Sequence, residues 1–325
     1  MQNSKHAYRY SDVALAPKRG VLTTRRDADT SVLLGKRRFK LPVIPANMKC
    51  TIDWELAKKL SNSGYFYVMH RFDNTNTALV NWASVEGNRK DLAYISMSVG
   101  VKKEDRELVS SLKTIFTPEY ITLDIAHGHS LVAIDMIKYI KDNLPGTFLI
   151  AGNVATSEGV TDLVNAGADA VKVGIGQGNA CTTKDKTGFT IPMFTCVRAI
   201  KEACNVDVPI IADGGIKSNG DIAKAIVAGA DMVMCGSLFA ECCDSPSEVV
   251  TDEDGVKYKL YFGSASEHNK QHKTHIEGTL RKIRENNITY LDKLEEIKQD
   301  LSSAVSYSGG ASLSSLKNVS YYIVR

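Results

Sequence analysis

Thr147–Gly176 reads TFLIAGNVATSEGVTDLVNAGADAVKVGIG, and its grammar decides the fold. TFLIAGNV is apolar on both faces, as a buried parallel strand should be. TSEGVTDLVNAG then opens with a polar cap and closes at Gly167, the punctuation of a helix. AVKVGIG, from Ala170, is a second apolar run that ends in glycines, where a strand hands over to a loop.

Outward from this stretch the same unit recurs. Apolar runs start at Leu41 (LPVIPAN), Tyr65 (YFYVMH), Ala93 (AYISMSVG), Tyr120 (YITLDIA), Thr147, Ala170, Val208 (VPIIADGG) and Met232 (MVMCGS). Their starts lie 24, 28, 27, 27, 23, 38 and 24 residues apart. Helical patterns fill the gaps, among them WELAKKLSNSG ending at Gly64, SLVAIDMIKYIKDN ending before Pro145, and NGDIAKAIVAGA from Asn219. Eight strand–helix units of this length predict an α/β fold, a (β/α)8 TIM barrel. A doubly wound open sheet is the rival, but the series shows no central change of order. The reading is one catalytic domain over 1–325, with barrel strands over about 41–237, a hairpin and mobile flap over about 245–288, and a closing helix and tail over 289–325. EVVTDEDGVKYKLYFG reads as the hairpin, turning at Asp254–Gly255, and the polar stretch from Glu267 to Asn287 as the flap.

Composition narrows the functional classes. Hydrophobic residues are 43% and charged residues 24%, ordinary for a chain with a sizeable core. Lys+Arg 40 against Asp+Glu 37 leaves +3, so no broad basic surface points to nucleic acid. The polar start MQNSKHAYRY has no apolar signal core, and no run is long enough for a membrane span. A cytoplasmic location is expected. The 7 cysteines include no CxxC pair, so zinc and disulfide frameworks are not expected.

Barrel chemistry sits where strands end. The one long interval, 38 residues, contains GIGQGNACTTKDKTGFTIP, a glycine-rich loop that carries Cys181. An isolated cysteine is most often core packing, but one in a polar loop above a barrel is poised as a nucleophile. Asp213, Gly214 and Gly215 end the seventh run, and Gly236 and Ser237 end the eighth. Such paired loops form a phosphate site in many barrels, although tight turns alone would also use these glycines. Asp124 ends the fourth run, and Arg71 follows the second, placed either as a surface charge or for a cofactor phosphate. His127 and His129 lack the companions of a metal site.

YSDVALAP, PANM, GIGQGNACTT, IADGG, MCGS, YFGSASE and SYSGG together resemble the IMP dehydrogenase/GMP reductase family over nearly the whole chain. The resemblance implies that Cys181 attacks purine C2 to form a covalent thioimidate. It implies that Asp213, Gly214, Gly215, Gly236 and Ser237 hold ribose and phosphate, with Asn179, Gly263, Ser264, Ala265 and Gly278 completing the GMP/IMP site. Carbonyls of Gly176, Gly178 and Cys181 resemble a monovalent-cation (K+) site. Thr24, Arg25, Arg71, Asp124, Ile125 and Ala126 would contact NADPH, with Ile175 and Gly176 beneath its nicotinamide. A homotetramer is also implied, with neither nucleic acid nor membrane as partner.

Within the family the chain is similar to the reductase branch, in its bacterial subgroup with GSAS after the hairpin. It has Glu277–Gly278 on the flap and Thr183 two residues after the cysteine, and its strands are too closely spaced for an inserted regulatory domain. The dehydrogenase branch uses a flap Arg-Tyr pair, and here the only such pair is Arg9–Tyr10. Thr183 and Glu277 would form the proton relay that lets ammonia leave. The loop departs from the family in Gln177 and Asn179, and the flap in Thr274, with Lys273 beside it. IMP dehydrogenation, an FMN-dependent barrel and a catalytically silent nucleotide sensor are the competing readings.

Overall fold

The computed structural model describes residues 6–84, 92–204, 207–270 and 274–324. Its centre is a parallel sheet of seven strands: β1 (Val43–Pro45), β2 (Ser96–Val99), β3 (Tyr120–Asp124), β4 (Phe148–Val154), β5 (Ala170–Val173), β6 (Ile210–Asp213) and β7 (Met232–Cys235). The order β1-β7-β6-β5-β4-β3-β2 places first and second strands at opposite ends of the ladder. These two ends meet: the Asn47 side-chain amide, just past β1, donates to Ser98 Oγ on β2 at 3.3 Å. The sheet is thus curled toward a barrel, as the repeat predicts.

The second apolar run, Tyr65–His70, differs from the expectation. It is buried throughout but is not a ladder strand; one backbone bond, Met69 N–H to the Ser96 carbonyl at 3.3 Å, joins it to β2. Hydroxyl groups occupy positions a ladder would have used. The Ser96 amide donates to the Tyr67 hydroxyl at 3.3 Å, and Ser98 Oγ donates to the Met69 carbonyl. Backbone groups must be paired somewhere when buried, and here side chains pair them.

Helices cover the sheet: α1 (Trp54–Asn62), α2 (Thr75–Ser84), α3 (Lys103–Ile115), α4 (Leu131–Asn143), α5 (Ser157–Asn165), α6 (Met193–Ala203) and α7 (Asn219–Ala228), with α8 (Tyr290–Tyr307) closing the body. In α5, Thr156 caps the start by accepting from the Gly159 amide at 3.1 Å. Buried Val160 and Leu163 face the core, and Gly167, at φ +118°, turns the chain into β5. α8 buries Leu294, Ile297, Leu301 and Val305 at helical spacing. Each such side chain contributes on the order of 1.5–3 kcal/mol by leaving water. None of the described helices is long and apolar enough to cross a membrane.

Between β7 and α8 rises an antiparallel ribbon: β8 (Val249–Thr251), β9 (Lys257–Phe262) and β10 (Leu280–Arg284). The predicted hairpin is there, turning at Gly255 with φ +78°. Part of the predicted flap is regular, since β10 pairs with β9 over five residues. The ribbon's roots are tied together. The Cys243 amide donates to the Ile288 carbonyl at 3.0 Å and the Asn286 amide to the Glu241 carbonyl at 2.8 Å. Buried Lys259 donates to the carbonyls of Cys243 and Ser245 and pairs with Glu285 at 3.4 Å.

Candidate active site

The loop after β5 carries Cys181 to the barrel mouth, where its amide donates to the Gly178 carbonyl at 3.0 Å. Its thiol donates to Thr183 Oγ1 at 3.3 Å, and that hydroxyl donates to Glu277 Oε2 at 2.5 Å. The ribbon is stitched to the loop around this contact. Thr182 N–H donates to the Glu277 carbonyl at 2.9 Å, Glu277 N–H to the Ala265 carbonyl at 3.0 Å, and Thr279 N–H to the Ala180 carbonyl at 2.9 Å. Gly278 bridges to both Cys181 and Ser266. Thiol, hydroxyl and carboxylate therefore form one continuous proton path, fixed by backbone on both sides.

Two fully buried thiols contrast with this one. Burial pushes Cys50 up to about 11 and Cys196 up to about 12, so both stay protonated at neutral pH. Cys181 is only partly buried and has a hydrogen-bonded exit for its proton.

Three cavities meet here. One of about 330 Å³ is lined by Cys181, Thr183, Glu277, Asp213, Ser264 and Ala265, with Gly263 at its edge. A second, apolar and about 460 Å³, lies beyond Thr183 and Glu277 against Ala126, His129, Ile175 and Phe189. Thr183, Glu277, Ile175 and Ala126 line both, so the relay sits in the partition. A third cavity of about 710 Å³ opens from the first past Asp213 and is walled by Arg71, Lys102, Asp124, Ile125 and Lys270.

Glycines let backbone and side chains pack closely beside Cys181. Gly214, at φ +95°, stands so close to the cysteine loop that a Cβ there would lie 3.0 Å from the Gly178 nitrogen. The Gly215 amide donates to the Gln177 carbonyl at 3.1 Å. Gly236 leaves room for the Tyr261 hydroxyl, which a Cβ would strike, and Ser237 begins a short helix, Ser237–Ala240. Burial pushes the Tyr261 phenol well up, so it remains a neutral donor at the cavity wall. The sequence reading missed Tyr261; its only signal is a tyrosine in an apolar strand beside the GSAS turn.

Lys172 was missed as well, although a lysine inside AVKVGIG is a signal in itself. It is 2% exposed, and its ammonium meets Asp213 at 2.6 Å, Asp124 at 3.1 Å and the Asn153 carbonyl oxygen. Burial disfavours its charge, but Asp213 and Asp124 outweigh that and hold its pKa above the usual lysine value. Burial likewise opposes ionisation of Asp124, yet Lys172 and Arg71 hold its carboxyl below the usual range.

Most predicted site residues line the cavities, but Gly214, Gly215, Gly236, Ser237 and Gly278 line none of the three. Asn179 turns to the ribbon, accepting from Arg281 at 3.3 Å. Thr24 and Arg25 line none of the three cavities; Arg25 instead donates to Ser303 and Tyr307 on α8, both at 3.2 Å. Gly176 lines the Cys181 cavity with Ile175. Lys273 lies outside the described residues. No cluster of three metal-ligating side chains occurs among the described residues; His129 pairs with Asp162 at 2.9 Å.

Comparison with known proteins supplies a family. A family model described as the IMP dehydrogenase / GMP reductase domain matches residues 7–324. The chain is 48% identical over 332 aligned positions to the GMP reductase of Streptococcus pyogenes serotype M5 (strain Manfredo), covering 100% of this chain and 97% of the relative. The GMP reductases of serotypes M28 and M1 match at the same identity and coverage.

Proposed function

The chain belongs to the IMP dehydrogenase/GMP reductase family, and from that premise we propose that it reductively deaminates GMP to IMP and ammonia. The observation that carries this reading is the Cys181–Thr183–Glu277 chain of hydrogen bonds. Removing ammonia from C2 requires a proton on the leaving nitrogen, and this chain ends in a carboxyl group that can hold one.

The steps follow from the residues. Cys181 loses its proton along Thr183 toward Glu277 and its sulfur bonds to C2 of guanine. The proton returns along the same path to the exocyclic nitrogen, the C–N bond breaks and ammonia leaves. NADPH, when bound, would supply the hydride that becomes the new hydrogen on C2. The C–S bond then breaks, Cys181 leaves as a thiolate that takes up a proton from solvent, and IMP departs.

The wall residues fit these ligands. Gly214, Gly215, Gly236 and Ser237, at the ends of β6 and β7, are the proposed phosphate residues, Tyr261 adds a hydroxyl at the cavity wall, and Asp213 faces the cavity for ribose hydroxyls. Asn179, Gly263, Ser264, Ala265 and Gly278 frame the base. For the cofactor, the apolar cavity against Ile175 suits a nicotinamide. Arg71, whose buried Nε has no partner among the described residues, suits a phosphate with Asp124, Ile125 and Ala126 beside it. Thr24 and Arg25 take part in this reading only from a neighbouring subunit, consistent with the tetramer expected of the family. The carbonyls of Gly176, Gly178 and Cys181 are the proposed potassium ligands, and the cytoplasm is the proposed location.

Parallel assays test the proposal: GMP with NADPH, and IMP with NAD, each with potassium. Consumption of NADPH matched by IMP and ammonia is the expected outcome. NADH and xanthosine monophosphate in the second assay would make the enzyme a dehydrogenase, and silence in both would leave a nucleotide sensor.

A further inference from the structure

Lys172 has a role in this site that the relay chemistry does not use. An ammonium group has three N–H donors and no acceptor. Here all three have partners: Asp213, Asp124 and the Asn153 side-chain carbonyl. None remains for a substrate, so Lys172 cannot serve as a donor to the reacting atoms. The surrounding bonds hold the arrangement. The Asn153 side-chain amide donates to the Gly174 carbonyl at 2.7 Å and to Asp213 Oδ2 at 2.9 Å. One oxygen of Asp213 is thereby engaged twice, by Lys172 and by Asn153, which sets the rotation of the carboxylate in the cavity wall. Lys172 and its two carboxylates sit on three neighbouring or near-neighbouring strands, β3, β5 and β6, so rigid backbone fixes their spacing.

We infer that Lys172 is a positioning residue that yokes Asp213, on the nucleotide side, to Asp124, on the cofactor side, through one buried ammonium. The inference rests on the assignment of those two carboxylates to GMP and NADPH. Two carboxylates share one largely buried cation at the cavity wall, with Arg71 as a second positive charge on Asp124. Without the cation, two negative charges would face each other, and one carboxyl would take up a proton. Asp213 would then lose acceptor capacity toward ribose hydroxyls, and the loss would reach the cofactor pocket through Asp124.

The sign follows directly. Loss of Lys172 raises the titration of the carboxylate pair, so nucleotide binding that needs the ionised form disappears at higher pH as the solution is acidified. The other titratable groups facing the pair are Arg71, Lys102 and Lys270 across the wide cavity, Cys181 from the loop after β5, His275 and Glu277 from the ribbon, and Tyr10, Tyr261 and Cys235 around Asp213. All are common to every variant compared, so the difference isolates Lys172.

The experiment measures GMP binding by calorimetry, and KM for GMP and NADPH, between about pH 5 and 9 for wild type, Lys172→Met and Lys172→Arg. In Lys172→Met both KM values rise about tenfold or more, and the acid limb of GMP binding moves up by at least about one pH unit. Lys172→Arg keeps the charge and leaves the acid limb near its wild-type position, although its larger head weakens affinity. Should the methionine variant fail to fold, Lys172→Gln carries the same expectation with a polar side chain. An acid limb unmoved in the neutral variant, or a change confined to one of the two ligands, overturns the inference. If wild type binds no GMP, the functional reading fails instead. Lys172 is then judged in the ligand-free protein, where the neutral variant should gain a protonated-carboxyl infrared band near neutral pH; absence of that band overturns it.

Discussion

The floor of the barrel and the ribbon above it supply the same site in opposite ways. Lys172 is 2% exposed and pinned by three acceptors on rigid parallel strands. Glu277 arrives from a ribbon whose strand β10 exposes four of its five residues, while β9 anchors it through Lys259 and the buried cluster of Tyr261 and Phe262 with Cys50, Ala180 and Ala240. The floor is built to hold charges still, at the expense of desolvating them. The ribbon is built to place one carboxylate beside one thiol. On the proposed reading Asp213 and Asp124 of the floor hold ligands while Glu277 of the ribbon moves a proton, so changes at Lys172 and at Glu277 should separate in KM and kcat.

The sharpest break falls on the loop that joins them. Cys181→Ala should lower turnover by about 10⁴-fold or more while leaving GMP binding nearly intact, as steady-state rates and calorimetry would show. Full activity in this variant would sink covalent catalysis. Glu277→Gln should cost about 10²-fold or more in kcat with little change in KM for GMP; a change mainly in KM would move Glu277 from proton transfer to binding. At pH 8, Cys50 and Cys196 should alkylate about 10²-fold or more slowly than an ordinary thiol, since raised pKa values of about 11 and about 12 leave little thiolate. Their labelling should climb as pH approaches those values, and mass spectrometry of labelled peptides would read it. Leu163→Ala, behind the floor in α5, should destabilise by about 2–5 kcal/mol in urea titrations while kcat of the folded fraction stays put. The smallest effect belongs to Arg198→Ala, whose exposed pair with Glu202 should contribute less than about 1 kcal/mol.

The repeat was legible because buried parallel strands and capped helices leave local marks: apolar runs, Thr156 before α5, Gly167 after it. Cys181, Thr183 and Glu277 were legible through resemblance, and the structure brings them into hydrogen-bond contact although 94 residues separate the last two. What local pattern could not show is where an apolar run finds its partners. Tyr65–His70 has the composition of a strand, yet hydroxyls of Tyr67 and Ser98 replace its ladder. β10 reads as loop because LRKIR has no buried face to alternate with, and only its pairing to β9 makes it a strand. Lys172 has no local mark of its partners, because its two carboxylates lie 48 residues before it and 41 after it. Arg25 was read toward a cofactor, and its observed partners on α8 are 278 and 282 residues away.

The ribbon leaves the barrel at Cys243 and returns at Ile288, and those two residues touch. An excursion with adjoining roots can grow, shrink or shift without straining the body from which it springs. Descent can therefore rewrite one contiguous stretch of gene and exchange the acid–base group set before the cysteine, while the inherited barrel goes on folding as before.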